Sequence, residues 1–358
     1  MAPRSPKLRT ATSDPAGTSA GGRLRCARVR GATVCFLTLL LALPMFAGSR
    51  RGMNAEELGR LFEAGQYQKV QEVSQTALVA TPRDAALHYW LARSAFELGK
   101  FDLAVEAAEE ACRLEPGNSD FQMWLGRAYG RKAEIESSFF LARKTHRAFE
   151  TAVRLDPANI PARRNLSEYY TDAPWFLGGG KEKARQQVEA IAALDALEGE
   201  LALADYYRNI SQPLEAEKQY QLLMEKHPRD VRFYLETLDF YMDQRDAMNM
   251  ARVLGMAQEV APRDVRLLFY RAVSRVIGGL QLDQAETELS HFLLEYPGNS
   301  EWITQAEGRE WLGVIYERRG NWQAAAEQYR TAVDLEPHRK RFRKSLERAE
   351  KELRKQKK

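Results

Sequence analysis

Prolines return along this chain at an interval of 34 or 35 residues, and that interval constrains the fold more than any other feature. Pro82 and Pro116 are 34 residues apart, as are Pro228 and Pro262, and Pro297 follows 35 residues later. Proline ends a helix because it lacks an amide hydrogen and its ring clashes with the preceding turn. Stops at this spacing predict a repeated helical unit.

The unit is clearest in residues 310–337, where apolar residues follow a helical period on either side of Gly320. The packing residues before and after that glycine are Leu312, Gly313, Tyr316, Ala325, Tyr329 and Ala332. This pattern predicts two helices joined by a turn at the glycine, with Pro337 ending the second helix. A Trp-Leu-Gly-x-x-Tyr order is shared by residues 124–129 and 311–316.

Eight such units follow one another before a basic carboxyl-terminal segment. Their predicted boundaries are 53–82, 85–116, 119–157, 160–195, 197–228, 231–262, 265–297 and 306–337. We assign seven additional residues of the third unit to its turn, and the fourth unit has an enlarged turn at residues 173–180. One hairpin cannot bury its own apolar face, so neighbouring hairpins must stack.

The segment 338–358 carries eleven Lys or Arg residues against three Glu, with a thin apolar stripe at Phe342, Leu346 and Ala349. This pattern is typical of a helix that caps the end of a stacked array with a polar outer face. The alternative is that its charge contacts acidic lipid headgroups or an acidic partner.

The arrangement resembles the tetratricopeptide repeat, whose pattern runs from a large residue through Leu-Gly, Tyr, Ala, an aromatic and Ala to Pro. The resemblance covers about 285 of the 358 residues. It implies an all-α fold, a right-handed α-solenoid of about eight helix–turn–helix repeats with a carboxyl-terminal capping helix. It also implies a non-enzymatic adaptor, since the first helices of successive hairpins line a concave groove that holds a peptide or a partner's helix. The Ala-Pro-x-x-x-Gly-Gly turn followed by Lys-x-Lys-Ala is similar to turns of uncharacterised exported bacterial proteins with this repeat.

The resemblance places inward positions of the first helices in a candidate partner-binding groove. Along the chain these positions are aromatic and basic, then acidic, then apolar: Tyr89, Arg93, Phe96, Arg127, Arg131, Arg164, Asp205, Asp239, Asp243 and Phe269. Arginine holds a carboxylate through two parallel hydrogen bonds, so we hypothesise that the four arginines bind an acidic segment of a protein partner. The alternative is that they pair with Glu and Asp residues within the solenoid.

Four large aromatic residues fall in the additional turn residues of the third and fourth hairpins: Phe139, Phe140, Trp175 and Phe176. Turns seldom carry so many large apolar side chains unless these cover something. Either the two turns pack on each other, or the aromatics form a knob that docks a partner.

Charge and motif spacing argue against nucleic-acid binding and catalysis. Without residues 1–52 and 338–358, the hairpin region keeps 33 basic and 45 acidic residues, whereas phosphate binding needs a basic stripe. The five histidines are scattered over the array without metal-binding or catalytic spacing. The run from Gly178 to Lys181 is not a phosphate loop, because Glu182 stands where Ser or Thr is required. We therefore expect no cofactor, no metal and no enzyme, and a buried thiol at Cys112.

The amino-terminal residues 1–49 predict a basic disordered lead followed by an export signal. Residues 31–48 are uncharged and run into small residues at 47–49, the pattern of a cleaved secretory signal peptide. The alternatives are an uncleaved anchor, since eighteen uncharged residues just reach across a bilayer, and a transit peptide or true start at Met53.

These alternatives place the protein differently. A signal peptide gives a periplasmic or secreted scaffold of the bacterial cell envelope, and an anchor gives an inner-membrane protein with its repeats outside the cytoplasm. A start at Met53 favours a cytosolic regulatory subunit or assembly chaperone of an enzyme complex.

Overall fold

Helices follow one another along the whole of the chain that the computed structural model describes, residues 55–297 and 303–356. The predicted lead and signal or anchor in residues 1–49 lie outside these ranges. The helices are α1 Ala55–Glu63, α2 Tyr67–Ala80, α3 Ala85–Glu97, α4 Phe101–Leu114, α5 Ser119–Glu136, α6 Phe139–Leu155, α7 Ile160–Asp172, α8 Lys181–Leu194, α9 Ala196–Asn209, α10 Pro213–Lys226, α11 Val231–Gln244, α12 Ala247–Val260, α13 Arg266–Gly278, α14 Leu282–Glu295, α15 Gln305–Arg318, α16 Trp322–Leu335 and α17 Lys340–Gln356.

The helices pair into eight consecutive hairpins, α1 with α2 through α15 with α16, and α17 packs on the last. Each helix contacts chiefly its neighbours in sequence, and the first helices of successive hairpins also touch one another along most of the array. The first helices therefore form an inner layer and the second helices an outer one, which confirms the predicted all-α solenoid.

Glycine permits the close approach of the two helices within a hairpin. A Cβ atom at Gly126 would lie 2.5 Å from the ring of Phe149, and one at Gly313 would lie 2.4 Å from the ring of Tyr329. Real Cβ atoms do not approach carbon that closely, so a side chain at either position would force the helices apart. The spacing of small and aromatic residues in the sequence thus corresponds to direct contacts.

At the junction between two hairpins one helix ends and the next begins. At four junctions a proline follows the second helix of a hairpin, and an Asp or Asn two residues later caps the first helix of the next one. The carboxylate of Asp84 accepts a hydrogen bond of 3.1 Å from the amide of Leu87, and the amide oxygen of Asn159 accepts one of 2.9 Å from Ala162. Such caps satisfy amide groups that have no partner in the first turn of a helix.

A tyrosine–glutamate hydrogen bond recurs between neighbouring hairpins. The hydroxyl of Tyr170 on α7 donates to Glu150 on α6 at 3.2 Å, and that of Tyr241 on α11 donates to Glu217 on α10 at 2.8 Å. Equivalent pairs join Tyr129 to Glu109 and Tyr316 to Glu286. The tyrosine that fills the gap to the preceding hairpin therefore also fixes its orientation there.

The prediction of an enlarged turn in the third hairpin was wrong. The additional residues lengthen both helices, since α5 has 18 residues and α6 has 17, whereas α15 and α16 have 14 each. The turn shortens to Ser137 and Ser138, and the Ser138 hydroxyl caps α6 by accepting from the amide of Leu141. In the fourth hairpin the enlarged turn is present, with one turn of 3₁₀ helix at Trp175–Leu177.

The superhelix returns onto itself after about six hairpins. A Cβ atom at Gly65, in the turn of the first hairpin, would lie 2.6 Å from Cγ of Pro297 at the end of the seventh. The rings of Phe101 in the second hairpin and His338 after the eighth meet at a centroid distance of 6.0 Å. The turns of the first two hairpins are thus in contact with the far end of the array.

Helix α17 closes the solenoid as the predicted cap. Phe342 and Ala349 are fully buried against the last hairpin, and the guanidinium of Arg348 binds both carboxylate oxygens of Glu317 at 2.9 Å. The remaining face carries most of the basic residues in water.

Within the described residues, no helix combines the length and the apolar character needed to cross a membrane.

Candidate functional site

A cluster of aromatic rings surrounds one arginine on the inner face of the first three hairpins. The Cζ atom of Arg93 lies 4.1 Å from the ring centroid of Phe62, 4.7 Å from that of Trp90 and 4.8 Å from that of Trp124. Its Nη1 donates a hydrogen bond of 3.3 Å to the hydroxyl of Tyr89. We call these five residues the Arg93 cage; helices α1, α3 and α5 each contribute to it.

The cage holds a cation without neutralising it. No acidic side chain of the described residues lies within ion-pair distance of Arg93, whose charge is stabilised by the ring faces. Tyr89 stacks on Phe121 at a centroid distance of 5.0 Å, and burial raises the pKa of Tyr89, which keeps its hydroxyl neutral. Both Tyr89 and Arg93 are half-buried, so one side of the cage faces solvent.

Arg127 and Phe96 belong to the packed wall behind the cage. The guanidinium of Arg127 lies over the Trp124 ring at 4.0 Å and over the Phe96 ring at 5.3 Å. Arg127 is 1% exposed and Phe96 is 4% exposed. The prediction that these two residues line the groove is therefore corrected, because stacking against Trp124 withdraws them from the surface.

Arg131 and Arg164 are paired within the solenoid. Arg131 binds Glu134 at 3.0 Å on its own helix, and Arg164 binds Glu198 at 3.1 Å and Asp205 at 2.7 Å on the next first helix. Burial alone would lower the pKa of Arg164, but these two carboxylates raise it overall. For these two arginines the alternative of internal pairing is the correct one.

The predicted acidic and apolar stretch of the groove also serves packing between hairpins. Asp239 is fully buried and accepts a hydrogen bond of 2.8 Å from the hydroxyl of Tyr270, and Asp243 pairs with Arg208. Phe269 is fully buried in the core. Asp239 and Phe269 are therefore corrected from groove to interior. Asp243 stays partly exposed, but Arg208 neutralises its carboxylate.

Sequence reasoning missed two acidic residues on the inner stripe of α7. Glu168 and Asp172 follow Arg164 at intervals of four residues, which places all three on one helical face. Burial raises the pKa of Glu168 well above its usual value, and Asp172 and Asp205 raise it further. Burial also raises the pKa of Asp172 to about 6. The four-residue spacing could have revealed them, and it makes the inner face acidic beyond the cage.

The aromatics of the third and fourth hairpins lie at the surface. Phe139 and Phe140 are the first two residues of α6, 65% and 68% exposed, while Trp175 and Phe176 are 84% and 56% exposed. The Phe139 and Phe176 rings meet at a centroid distance of 5.9 Å. The two segments do touch, yet the contact leaves all four side chains open to solvent.

The structure also locates the residues that could carry metal, thiol or phosphate chemistry. No group of three or more His, Cys, Asp or Glu side chains among residues 55–297 and 303–356 is arranged to hold a metal ion. Cys112 is buried, and burial raises the pKa of its thiol to about 12. Gly178 has a φ of 98°, and its carbonyl accepts a hydrogen bond from Lys183, so the glycine run forms a turn.

Stacked helical hairpins with an inner layer of first helices define a helical-repeat solenoid, a class that binds other proteins along its inner surface. Two family models described as tetratricopeptide repeat match the chain, one at residues 60–119 and 91–134 and the other at residues 306–339. The chain is a tetratricopeptide-repeat protein, and its repeats make it a protein–protein interaction scaffold. The fold is typically non-enzymatic. No curated protein sequence matches the chain.

One solved structure shows the same fold. Yeast Tom70 is 14% identical with a TM-score of 0.62, over 90% of this chain and 68% of that one. A tetratricopeptide-repeat protein from Parabacteroides merdae is 18% identical with a TM-score of 0.48, over 79% of this chain and 98% of that one. At these identities the likeness to Tom70 shows the fold alone.

Proposed function

We propose that this protein is a scaffold that holds an acidic segment of a protein partner against the Arg93 cage. The observation that carries the proposal is the contrast between Arg93 and its neighbours on the inner face. Arg131 and Arg164 are bound by carboxylates of the solenoid, whereas Arg93 is held by aromatic rings, and no acidic side chain of residues 55–297 and 303–356 lies within ion-pair distance of it.

The cage prepares the guanidinium for a carboxylate. Three rings fix its position, so little side-chain freedom is lost when a ligand binds. A carboxylate can then accept charge-assisted hydrogen bonds from N–H groups that the rings leave unsatisfied. The aromatic surface of Tyr89 and Trp90 adds apolar contact for the flanking residues of the segment.

The acidic stripe beyond the cage limits the length of the bound segment. Asp172 would repel further carboxylates, and Glu168, whose neutral form burial favours, offers them no positive charge. Arg164 cannot attract them because Glu198 and Asp205 already neutralise it. The acidic part of the partner therefore occupies the first three hairpins and does not continue into the fourth.

A peptide titration tests the site. Fluorescence anisotropy would compare a labelled peptide with alternating Glu and Leu against its Gln-and-Leu counterpart. We expect the acidic peptide to bind wild type and Arg93→Gln to weaken it roughly tenfold or more, since hydrogen bonds between charged groups contribute about 1.5–3 kcal/mol. Arg113→Gln, an outer-layer change at an arginine paired with Glu110, is the control and should bind as wild type does. Equal binding of both peptides, or no effect of Arg93→Gln, would refute the site.

We further propose that the scaffold works in the bacterial cell envelope. The support is the uncharged run 31–48 with small residues at its end, the composition of an export signal. Amino-terminal sequencing of the protein from fractionated cells tests this. A mature start near residue 50 in the periplasmic fraction, or an intact start in the membrane fraction, agrees with export; an intact start at Met1 in the cytosol contradicts it.

A further inference from the structure

Two turns near the start of the array touch two junctions near its carboxyl end. The ring of Phe101, at the start of α4, meets that of His338, just before α17, at a centroid distance of 6.0 Å. The turn at Gly65 abuts Pro297, since a Cβ atom added at the glycine would lie 2.6 Å from Cγ of the proline. We call these four residues the end contact.

An attraction between charged side chains spans the same region. Arg339 follows His338 and binds Glu336 at 2.8 Å. Burial alone would lower the pKa of Arg339, but Glu336, Glu307 on α15 and Glu134 on α5 raise it overall. Glu134 belongs to the third hairpin, so the guanidinium lies near both ends of the array and favours the closed arrangement.

The end contact is shallow. Pro297 and His338 remain exposed where they touch the other end, and Phe101 is half-buried. Among residues 55–297 and 303–356, no cluster of buried apolar side chains combines members from the two ends. Little apolar surface therefore returns to water when the ends separate, and the separation needs no hairpin to unfold.

We infer that the end contact is a gate that controls access to the Arg93 cage. While it is closed, a complete turn of the superhelix encloses the inner face, and a segment reaches the cage by passing along the superhelix axis. A short segment held between two folded domains cannot be threaded in this way, so it binds only after the ends separate. The inference rests on the proposed binding of an acidic segment at the cage.

The gate and the cage are built from the same hairpins. The cage takes Phe62 from α1 and Trp124 from α5, and Gly65 and Phe101 lie in the turns that follow α1 and α3. The carboxyl-terminal junctions therefore rest on the edge of the hairpins that hold the cage, and their departure frees that edge.

The fraction of open molecules sets the apparent affinity for a segment that is held on both sides. When only part of a population is competent to bind, the apparent dissociation constant rises by the reciprocal of the competent fraction. A gate that is open in about a tenth of the molecules weakens the binding of such a segment about tenfold. A segment with a free end is threaded through the closed form and escapes this penalty.

Two fusions of one acidic peptide test the gate in the full chain. A peptide of alternating Glu and Leu, about twelve residues and thus about 40 Å when extended, is fused to maltose-binding protein with its other end free. In the second fusion the same peptide lies between two copies of that carrier and is too short to fold back into the axis. Surface plasmon resonance compares wild type with Phe101→Ala plus His338→Ala. Phe140→Ala, an exposed aromatic at the start of α6, is the control.

We expect the free-ended peptide to bind wild type and the embedded peptide to bind roughly tenfold or more weakly. In the double variant the embedded peptide should approach the affinity of the free-ended one, whereas Phe140→Ala should keep the difference seen in wild type. Equal binding of both fusions to wild type, with Arg93→Gln weakening both, overturns the gate and leaves the cage intact. A free-ended peptide that does not bind, or that binds regardless of Arg93→Gln, refutes the proposed function and the gate with it.

A covalent lock decides the case in which the double variant stays closed. Phe101→Cys with His338→Cys, in a chain that also carries Cys26→Ser and Cys35→Ser, would be joined by a short bis-maleimide, and Cys112 is buried. The locked chain should bind the free-ended peptide as wild type does and exclude the embedded one. Binding of the embedded peptide to the locked chain overturns the inference.

Discussion

The rings of Phe101 and His338 are in edge contact at a centroid distance of 6.0 Å, although one belongs to the second hairpin and the other follows the eighth. With the contact of Gly65 on Pro297, this joins the two ends of the array. The inner face is therefore enclosed by a complete turn of the superhelix, and a partner segment must enter along its axis or after the ends separate.

We predict that Phe101→Ala with His338→Ala opens the superhelix without unfolding its hairpins. The end contact is small and involves no shared core, so its loss should raise the radius of gyration in small-angle scattering while helical circular dichroism is unchanged. Phe140→Ala is the control, because it removes an exposed aromatic side chain at the start of α6, as Phe101 stands at the start of α4. This variant should scatter as wild type does. A radius unchanged in the double variant would show that the ends are held by other means.

Gly313→Ala should destabilise the fold by about 1–3 kcal/mol, because its Cβ would overlap the Tyr329 ring at 2.4 Å. Gly255→Ala is the matched change at an exposed position of helix α12, where a Cβ meets nothing within 4 Å. It should stabilise by roughly 0.5–1 kcal/mol through helix propensity alone. Urea unfolding measures the change in the free energy of unfolding for each variant. If both variants change it in the same direction, the close-packing explanation is contradicted.

Cys112 should resist modification in the folded protein. Burial raises the pKa of its thiol to about 12, so at pH 8 on the order of one thiol in ten thousand is the reactive thiolate. In a variant with Cys26 and Cys35 replaced by Ser, an aromatic disulfide reagent should react only after urea is added. Rapid labelling of the folded variant would place Cys112 at the surface.

The inner acidic stripe predicts a dependence of stability on pH. Burial raises the pKa of Glu168 in the folded state, so folding favours its neutral form, and the penalty for ionisation grows as pH rises through its unfolded pKa. Glu168→Gln should therefore be more stable than wild type at pH 7, and this advantage should vanish as pH falls toward 4. Glu189→Gln, on the outer helix α8, should show no such trend. If the stability difference between Glu168→Gln and wild type stays constant across pH, burial does not raise the pKa of Glu168 in the folded state.

The hairpins could be predicted from the sequence because their packing is local and repeated. Gly126 and Phe149, or Gly313 and Tyr329, meet within one hairpin at a fixed separation, so the pattern of small and aromatic residues reports the contact directly. The helix boundary in the third hairpin was missed, although Ala133 before Ser137 and Leu141 after it are buried and continue the packing stripes of the two helices.

The groove could be predicted only in part, because side chains of the next hairpin decide which of its charged residues are already paired. Arg164 pairs with Glu198 and Asp205, which lie 34 and 41 residues later in the sequence. The sequence of its own hairpin gives no indication of these ion pairs. Arg93 differs because aromatic rings occupy its surroundings, and those come from three different hairpins. Residue types at inward positions therefore do not reveal which charges remain available.

Site-specific photo-crosslinking tests the central claim most directly. A photoreactive phenylalanine replaces Tyr89, the cage residue closest to it in shape, or Glu106, exposed on the outer helix α4, in cells that contain the natural partner. The account predicts that Tyr89 crosslinks to a protein through an acidic segment and that Arg93→Gln abolishes the product, while Glu106 gives none. Crosslinks from Glu106 with none from Tyr89 would show that partners bind the outer layer and not the inner face.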